Sequence, residues 1–119
     1  MAKELTEQEL HNLAMNVVGE DLEKQGYEFL GVNSSIKANP QFVALKNTKL
    51  HFVVVRAIKY PMDPRVMDRI YMETMKQHAA KFNAKTFYAG VGIANAKDYE
   101  LPVTHEENYI VNYDGWQEI

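Results

Sequence analysis

The sequence predicts an α/β (α+β) sandwich on a mixed sheet, with the element order α-β-β-β-α-β-β. Three observations carry that expectation. Two stretches repeat apolar residues at spacings of three and four, as one face of a helix does. Between them, Phe52-Val53-Val54-Val55 is apolar on both faces, the mark of a central strand covered on each side. The chain has 119 residues, 46% hydrophobic and 24% charged, which suits a single globular domain over residues 1–119.

The first helix is expected over residues 7–25. Thr6 can cap it while Glu9, three residues on, returns the bond, and Leu5 and Leu10 bracket this capping box as a hydrophobic staple. Leu10, Leu13, Ala14, Val17, Val18 and Leu22 form its apolar stripe, and Gly26 supplies the left-handed residue that ends it. Tyr27 to Val32 reads as a strand, followed by the turn-rich Asn33-Ser34-Ser35 and Asn39-Pro40. Gln41 to Leu45 and Leu50 to Ala57 flank Lys46-Asn47-Thr48-Lys49, a four-residue hairpin connection, so the first three strands are expected to form a meander.

The second helix is expected to start with Asp63 as cap and Pro64 at its first position, where a missing N–H costs nothing. Met67, Ile70, Tyr71, Met75, His78, Ala79 and Phe82 then trace its stripe, with Met72 off it as a candidate recognition surface and Asn83 as the stop. In the strand from Thr86 to Ile93, Gly90 and Gly92 leave one face bare for a helix or another backbone. Asn95 to Asn108 lacks periodicity and is long enough to be a functional loop. A last strand is expected from Tyr109 to Tyr113, ended by Asp114-Gly115.

With no Cys, the chain has no disulfide, no Cys-ligated metal and no thiolate nucleophile. It shows neither the apolar segment of a signal peptide nor a run long enough to cross a bilayer, so a cytoplasmic protein without a membrane partner is expected. The net charge is -3 but unevenly spread. Residues 37–60 carry five basic groups (Lys37, Lys46, Lys49, Arg56 and Lys59) and no acidic one, whereas both ends are acidic. That middle segment either meets phosphates or an acidic partner or is neutralised by the acidic ends beside it. His11, His51, His78 and His105 lack the i, i+4 spacing of a helical zinc site, and Ser34 and Ser35 have no nucleophile elbow around them. Gly90-Val91-Gly92 lacks the third glycine and the following helix of a dinucleotide loop.

From Leu22 to Asn33, through Gln41-Phe42-Val43-Ala44-Leu45, to Leu50-His51-Phe52-Val53-Val54-Val55-Arg56, the chain resembles the restriction-endonuclease-like, or PD-(D/E)XK, superfamily, in particular its small Holliday-resolvase-like members. The resemblance spans about residues 10–94 and implies a core with the same element order. In that superfamily an Asp on the second strand and a Glu-x-Lys on the third hold Mg²⁺ and orient the attacking water. Spacing carries the Asp onto Gln41, the Glu onto Val54 and the Lys onto Arg56, and a glutamate of the first helix falls at Met15. None of the acids is present, so the resemblance implies a degenerate site with no metal and no catalytic residues.

Over its whole length, including Lys81 to Gly92 and Tyr109 to Tyr113, the chain is also similar to short bacterial proteins labelled as a component of the sodium-translocating NADH:quinone reductase. That label implies an iron–sulfur and flavin protein. This chain has no Cys for a cluster, and Arg69-Ile70-Tyr71 is followed by Met72 where a flavin motif has Ser or Thr, so no cofactor is expected. The expected function is a non-enzymatic binding or interaction module, with Arg56, Lys59 and Tyr60 at the end of the central strand as its contact residues. Its partner is open: a protein or a second copy through Tyr109 to Trp116, or nucleic acid. One alternative is an enzyme whose acids have moved to the 95–108 loop, as Asp98, Glu100, Glu106 or Glu107. The other is a redox-complex accessory protein, as the label implies.

Overall fold

A computed structural model describes residues 3–36 and 39–119. Lys37, one of the five cations of the basic segment, lies outside the described residues. The order is α1 (Glu7–Lys24), β1 (Glu28–Val32), β2 (Phe42–Lys46), β3 (Lys49–Lys59), α2 (Arg69–Ala80), β4 (Ala84–Asn95), β5 (Tyr109–Asn112) and β6 (Gln117–Glu118). The six strands make one open mixed sheet in the order β1-β2-β3-β4-β5, with β6 also paired to β4. Only β3 and β4 are parallel, and α2 is the crossover between them.

The ends of α1 follow from the sequence. Thr6 Oγ1 accepts from Glu9 N at 3.1 Å and Glu9 Oε1 accepts from Thr6 N at 2.9 Å, completing the capping box. At the other end Gly26 takes a φ of 88°, while Tyr27 N donates to Leu22 O and Gly26 N to Glu23 O. These two bonds make a Schellman motif, which satisfies the last carbonyls of the helix.

Alternation along the central strands assigns the layers. Val53, Val55, Phe87, Ala89, Val91 and Ile93 pack with Leu10, Met15, Val18 and Leu22 of α1. Val54 and Tyr88 pack with Met72 and Met75 of α2. The helices therefore cover opposite faces of the sheet, making three layers.

The meander of β1, β2 and β3 forms as expected, but its hairpin is tighter. Lys46 pairs with Lys49, and Asn47 and Thr48 alone make the turn, with φ of 52° and 62°. Positive φ at both turn residues is the type I′ signature, whose twist matches that of the strands it joins.

The second helix departs from expectation. Its cap is Asp68, whose Oδ1 accepts from Tyr71 N at 3.0 Å, and not Asp63. Asp63 instead closes a turn by accepting from Arg65 N at 2.9 Å. Pro64 is buried against β4, where a Cβ on Gly90 would collide with the Pro64 carbonyl. The backbone expected over the bare glycines is thus the segment just before α2, and laying that segment flat delays the helix. Asn83 ends the turn after α2 with a φ of 55°, as expected.

Because helical geometry starts only at Asp68, the stripe takes a new phase. Met72, Met75 and Ala79 are buried, whereas Ile70 is 85% exposed and His78 and Phe82 are also exposed. Met72, at 1% exposure, belongs to the core and is no recognition surface.

Strand β4 extends past both expected ends and is buried from Thr86 to Asn95. Beyond Tyr109–Asn112, the sheet resumes at Gln117–Glu118, a strand the sequence pattern did not suggest. Ile93 pairs with Val111 and Phe87 with Glu118, so the register slips by one residue between β5 and β6. They form two halves of one edge strand, interrupted where Gly115 takes a φ of 92°. Tyr113 and Trp116, in the interruption, pack on the core beneath α1.

Candidate binding site at the carboxyl edge of the sheet

Strand β2 begins at Phe42, opposite Val53, so the last residues of β3 run on without a neighbour on that side. The chain finishes the ladder with a side chain. Gln41 N donates to Val53 O at 3.0 Å, and Gln41 Oε1 accepts from Val55 N at 2.8 Å, one rung beyond the last backbone pair. Gln41 is fully buried, so leaving either group unpaired would carry its whole desolvation cost.

The other end of the Gln41 amide organises the edge. Its Nε2 donates to Asn39 Oδ1 at 2.8 Å, and the same oxygen accepts from Arg56 Nη1 at 3.0 Å. Arg56 Nη1 also donates to Val55 O at 2.9 Å, and the guanidinium lies 5.5 Å from the centre of the Tyr71 ring. Neutral acceptors and an aromatic face thus fix the guanidinium in place. Among the described residues no carboxylate lies within ion-pair distance of it.

Three depressions adjoin this edge. The first, about 370 Å³, lies between the first turns of α1 and the end of β3 and is lined by Glu7, Leu10, His11, Ile36, Arg56 and Lys59, among others. It shares Leu10 and Lys59 with a second of about 290 Å³, which reaches Tyr60, Ile93, Tyr99 and Val103. That one shares Tyr60, Ile93, Ala94 and Tyr99 with a third of about 260 Å³, over Pro64 and Gly92. Tyr60 and Tyr99 are 48% and 47% exposed, and their rings meet edge to face at 5.4 Å. Linked by these shared walls, the depressions lie side by side as a groove-like band across the carboxyl ends of β3 and β4, where open α/β sheets commonly receive ligands.

Arg56, Lys59 and Tyr60 all line this groove. The four positions mapped from the nuclease resemblance separate. Gln41 and Arg56 meet at Asn39, Val54 packs under α2, and Met15 packs under α1 on the opposite face. The donor set does not fit Mg²⁺. Gln41 spends its amide oxygen on Val55 N, Val54 and Met15 are apolar, and a hard dication needs anionic oxygen. An iron–sulfur cluster does not fit a chain without Cys, and the Tyr71-Met72 pair belongs to α2, with Met72 buried.

The basic segment is divided. Lys46 lies over the Tyr27 ring at 5.1 Å and Lys49 Nζ bonds Asn83 Oδ1 at 3.3 Å, both at the hairpin end of β3. Lys59 ends the same strand ten residues on, about 33 Å away at strand rise.

The 95–108 segment is tied down. Asn95, buried, accepts from Lys97 N at 2.9 Å and donates to Pro102 O at 3.0 Å, while Leu5 N donates to Val103 O and His105 N to Lys3 O. Asp98 Oδ1 accepts from Glu100 N, and Glu107 Oε1 accepts from Thr104 Oγ1 at 2.9 Å. Among the described residues, no three His or acidic side chains converge to hold a metal.

Sequence reasoning gave His11 no part in the site. It is 3% exposed, its Nε2 has no hydrogen-bond partner, and burial, with Arg56 nearby, lowers its pKa so that the imidazole is neutral at pH 7. The signal was available, because His11 stands three before Ala14, four before Met15 and seven before Val18, on the buried face of α1.

A family model described as Domain of unknown function (DUF8840) matches residues 8–119. No curated protein and no solved structure matches the chain.

Proposed function

The chain belongs to the DUF8840 family, and from that premise and the groove we propose that it is a non-enzymatic binding module on a degenerate nuclease-like core. One observation carries the reading: Arg56, Lys59 and Tyr60 line adjoining depressions at the carboxyl edge, with the guanidinium fixed and, among the described residues, no carboxylate within ion-pair distance of it. The layout of the core supports the nuclease-like part. A meander, a helical crossover and a parallel fourth strand, with helices on both faces, follow the element order that the resemblance implies. At the mapped acidic positions Gln41, Val54 and Met15 serve hydrogen bonding and packing, and only Arg56 keeps a charge.

Two measurements test this. Incubated with duplex or four-way-junction DNA and Mg²⁺ or Mn²⁺, the protein should leave the strands intact, and chelator-sensitive scission would overturn the non-enzymatic reading. Titrated with small fragments of different charge, backbone amide resonances should move along the groove. If no fragment shifts any of them, the binding reading fails.

A second reading, association through the late strand, is favoured by β5. All four of its residues are exposed, at an open sheet edge that carries Tyr109, Ile110 and Val111 and no charge.

A further inference from the structure

This inference rests on the binding reading and names the ligand class. We propose that the groove binds a small aromatic oxyanion, its carboxylate or phosphate held by Arg56 and Lys59 and its ring lying past Leu10 toward Tyr60 and Tyr99.

The first part of the argument is charge. Arg56 donates to the Asn39 amide oxygen and the Val55 carbonyl, which aim the guanidinium without neutralising it. Lys59 lines the same depression, and among its described lining residues Glu7 is the one carboxylate. Among its described lining residues two cations face one anion, on a chain whose net charge is -3. A guanidinium held in this way meets an oxyanion through charge-assisted, often bidentate bonds.

The second part is an orphan. His11 lines the same depression, is almost wholly buried, and has no partner for Nε2. A buried polar atom with no partner is uncommon in a folded protein, and here it lies in the wall of the depression that Arg56 and Lys59 also line. The β3 ladder adds a donor. Val55 N–H points to the free edge, where it meets Gln41, so alternation points Ala57 N–H to that edge two residues on, past the start of β2.

The third part is the body of the ligand. The depression shares Leu10 and Lys59 with the next, whose wall is mostly apolar: Leu5, Ile93, Leu101, Pro102 and Val103. A cavity of about 150 Å³ already admits a benzene ring. The 290 Å³ here is ample, and the half-exposed Tyr60 and Tyr99 rings offer aromatic edges and faces at its mouth. One end carries Arg56 and Lys59, and the other is mostly apolar with Glu4 and Glu100 also in its wall, so an anionic group belongs at the Arg56 end and a flat apolar body at the other.

The test is a titration of the full chain, followed by two-dimensional amide spectra, with phenyl phosphate, benzoate, benzyl alcohol, benzylamine and inorganic phosphate. Phenyl phosphate or benzoate should shift Leu10, His11, Ala57 and Lys59 together with Tyr60 and Tyr99, and should bind more tightly than inorganic phosphate. Benzyl alcohol should bind at least about tenfold more weakly than the aromatic anions, and benzylamine not at all, the loss expected for a missing charge-assisted bond. Lys59→Gln, at an exposed position, should weaken the aromatic anions without disturbing the fold, and Arg56→Lys should weaken phenyl phosphate more than benzyl alcohol. Tyr99→Ala should cost phenyl phosphate its advantage over inorganic phosphate.

If benzyl alcohol or benzylamine binds as well as the anions, or if Lys59→Gln and Arg56→Lys change nothing, the ligand class is wrong while the groove still stands as a binding site. If none of the five probes moves a groove resonance, both readings fail.

Discussion

At the scale of single residues, Gln41 shows how an apparently vacant position acquires a structural role. Its side chain replaces a missing rung of the ladder and positions Asn39, which in turn aims Arg56. Gln41→Ala should leave Val55 N–H buried and unpaired and lower stability by about 1–3 kcal/mol, measured by urea denaturation. Arg56 should lose its fixed orientation in the same variant. The buried histidines make a second prediction. Burial lowers the pKa of both His11 and His51, so the native state takes up fewer protons than the unfolded chain once pH falls below the ordinary value of 6.5. Their contribution to stability is complete above that pH and is lost as pH falls toward the native values. The urea midpoint should drop between pH 7 and 5, and His11→Gln should flatten the slope. A midpoint unchanged over that range would contradict the assignment.

At the scale of elements, the two helices test how far local pattern reaches. Met72→Ala should cost about 2–5 kcal/mol because it empties a core position, whereas Ile70→Ala should stay within about 0.5 kcal/mol, measured by thermal or urea unfolding. The stripe read from sequence assigns these roles the other way round. The first helix was legible because its cap, stripe and terminating glycine are all local signals that agree. The second was misphased because its start depends on a remote contact, the Pro64 carbonyl over Gly90. Sequence revealed that Gly90 leaves room for something but not that the occupant is the segment which would otherwise begin the helix. Strand β6 escaped notice for a related reason, since two residues carry no period and their pairing with Phe87 and Tyr88 is wholly nonlocal. That Arg56, Lys59 and Tyr60 would sit at the carboxyl edge of the sheet, where they line the depressions, was legible from their place at the end of an apolar strand. The burial of His11 was legible from its spacing on α1, but not whether it packs or binds, because a histidine on a buried helical face looks the same in both cases.

At the scale of the whole molecule, the sheet has two open edges of different character. On β1, Leu30 and Val32 are exposed, but the register irregularity between Phe29 and Gly31 and the charge of Glu28 discourage a further strand. On the β5 half of the other edge the four exposed residues carry no charge, and the register slip and Glu118 lie beyond it, so the chain is expected to self-associate through β5 at high concentration. Val111→Lys should abolish that association with little change in stability, as read by sedimentation velocity, and identical monomeric behaviour of both proteins would remove this second reading. The sheet also has a seam. One leaf, β1 to β3, and the other, β4 to β6, are each stitched antiparallel, and the parallel β3/β4 ladder alone joins them. Hairpin contacts within a leaf close short loops, whereas the joint must wait for the α2 crossover, so it is expected to form late. Arg56 and Lys59 come from one leaf, Ile93 and Tyr99 from beyond the joint. A half-assembled chain would hold the cationic wall without the aromatic one, so a ligand that spans both would fasten the spine of the sheet.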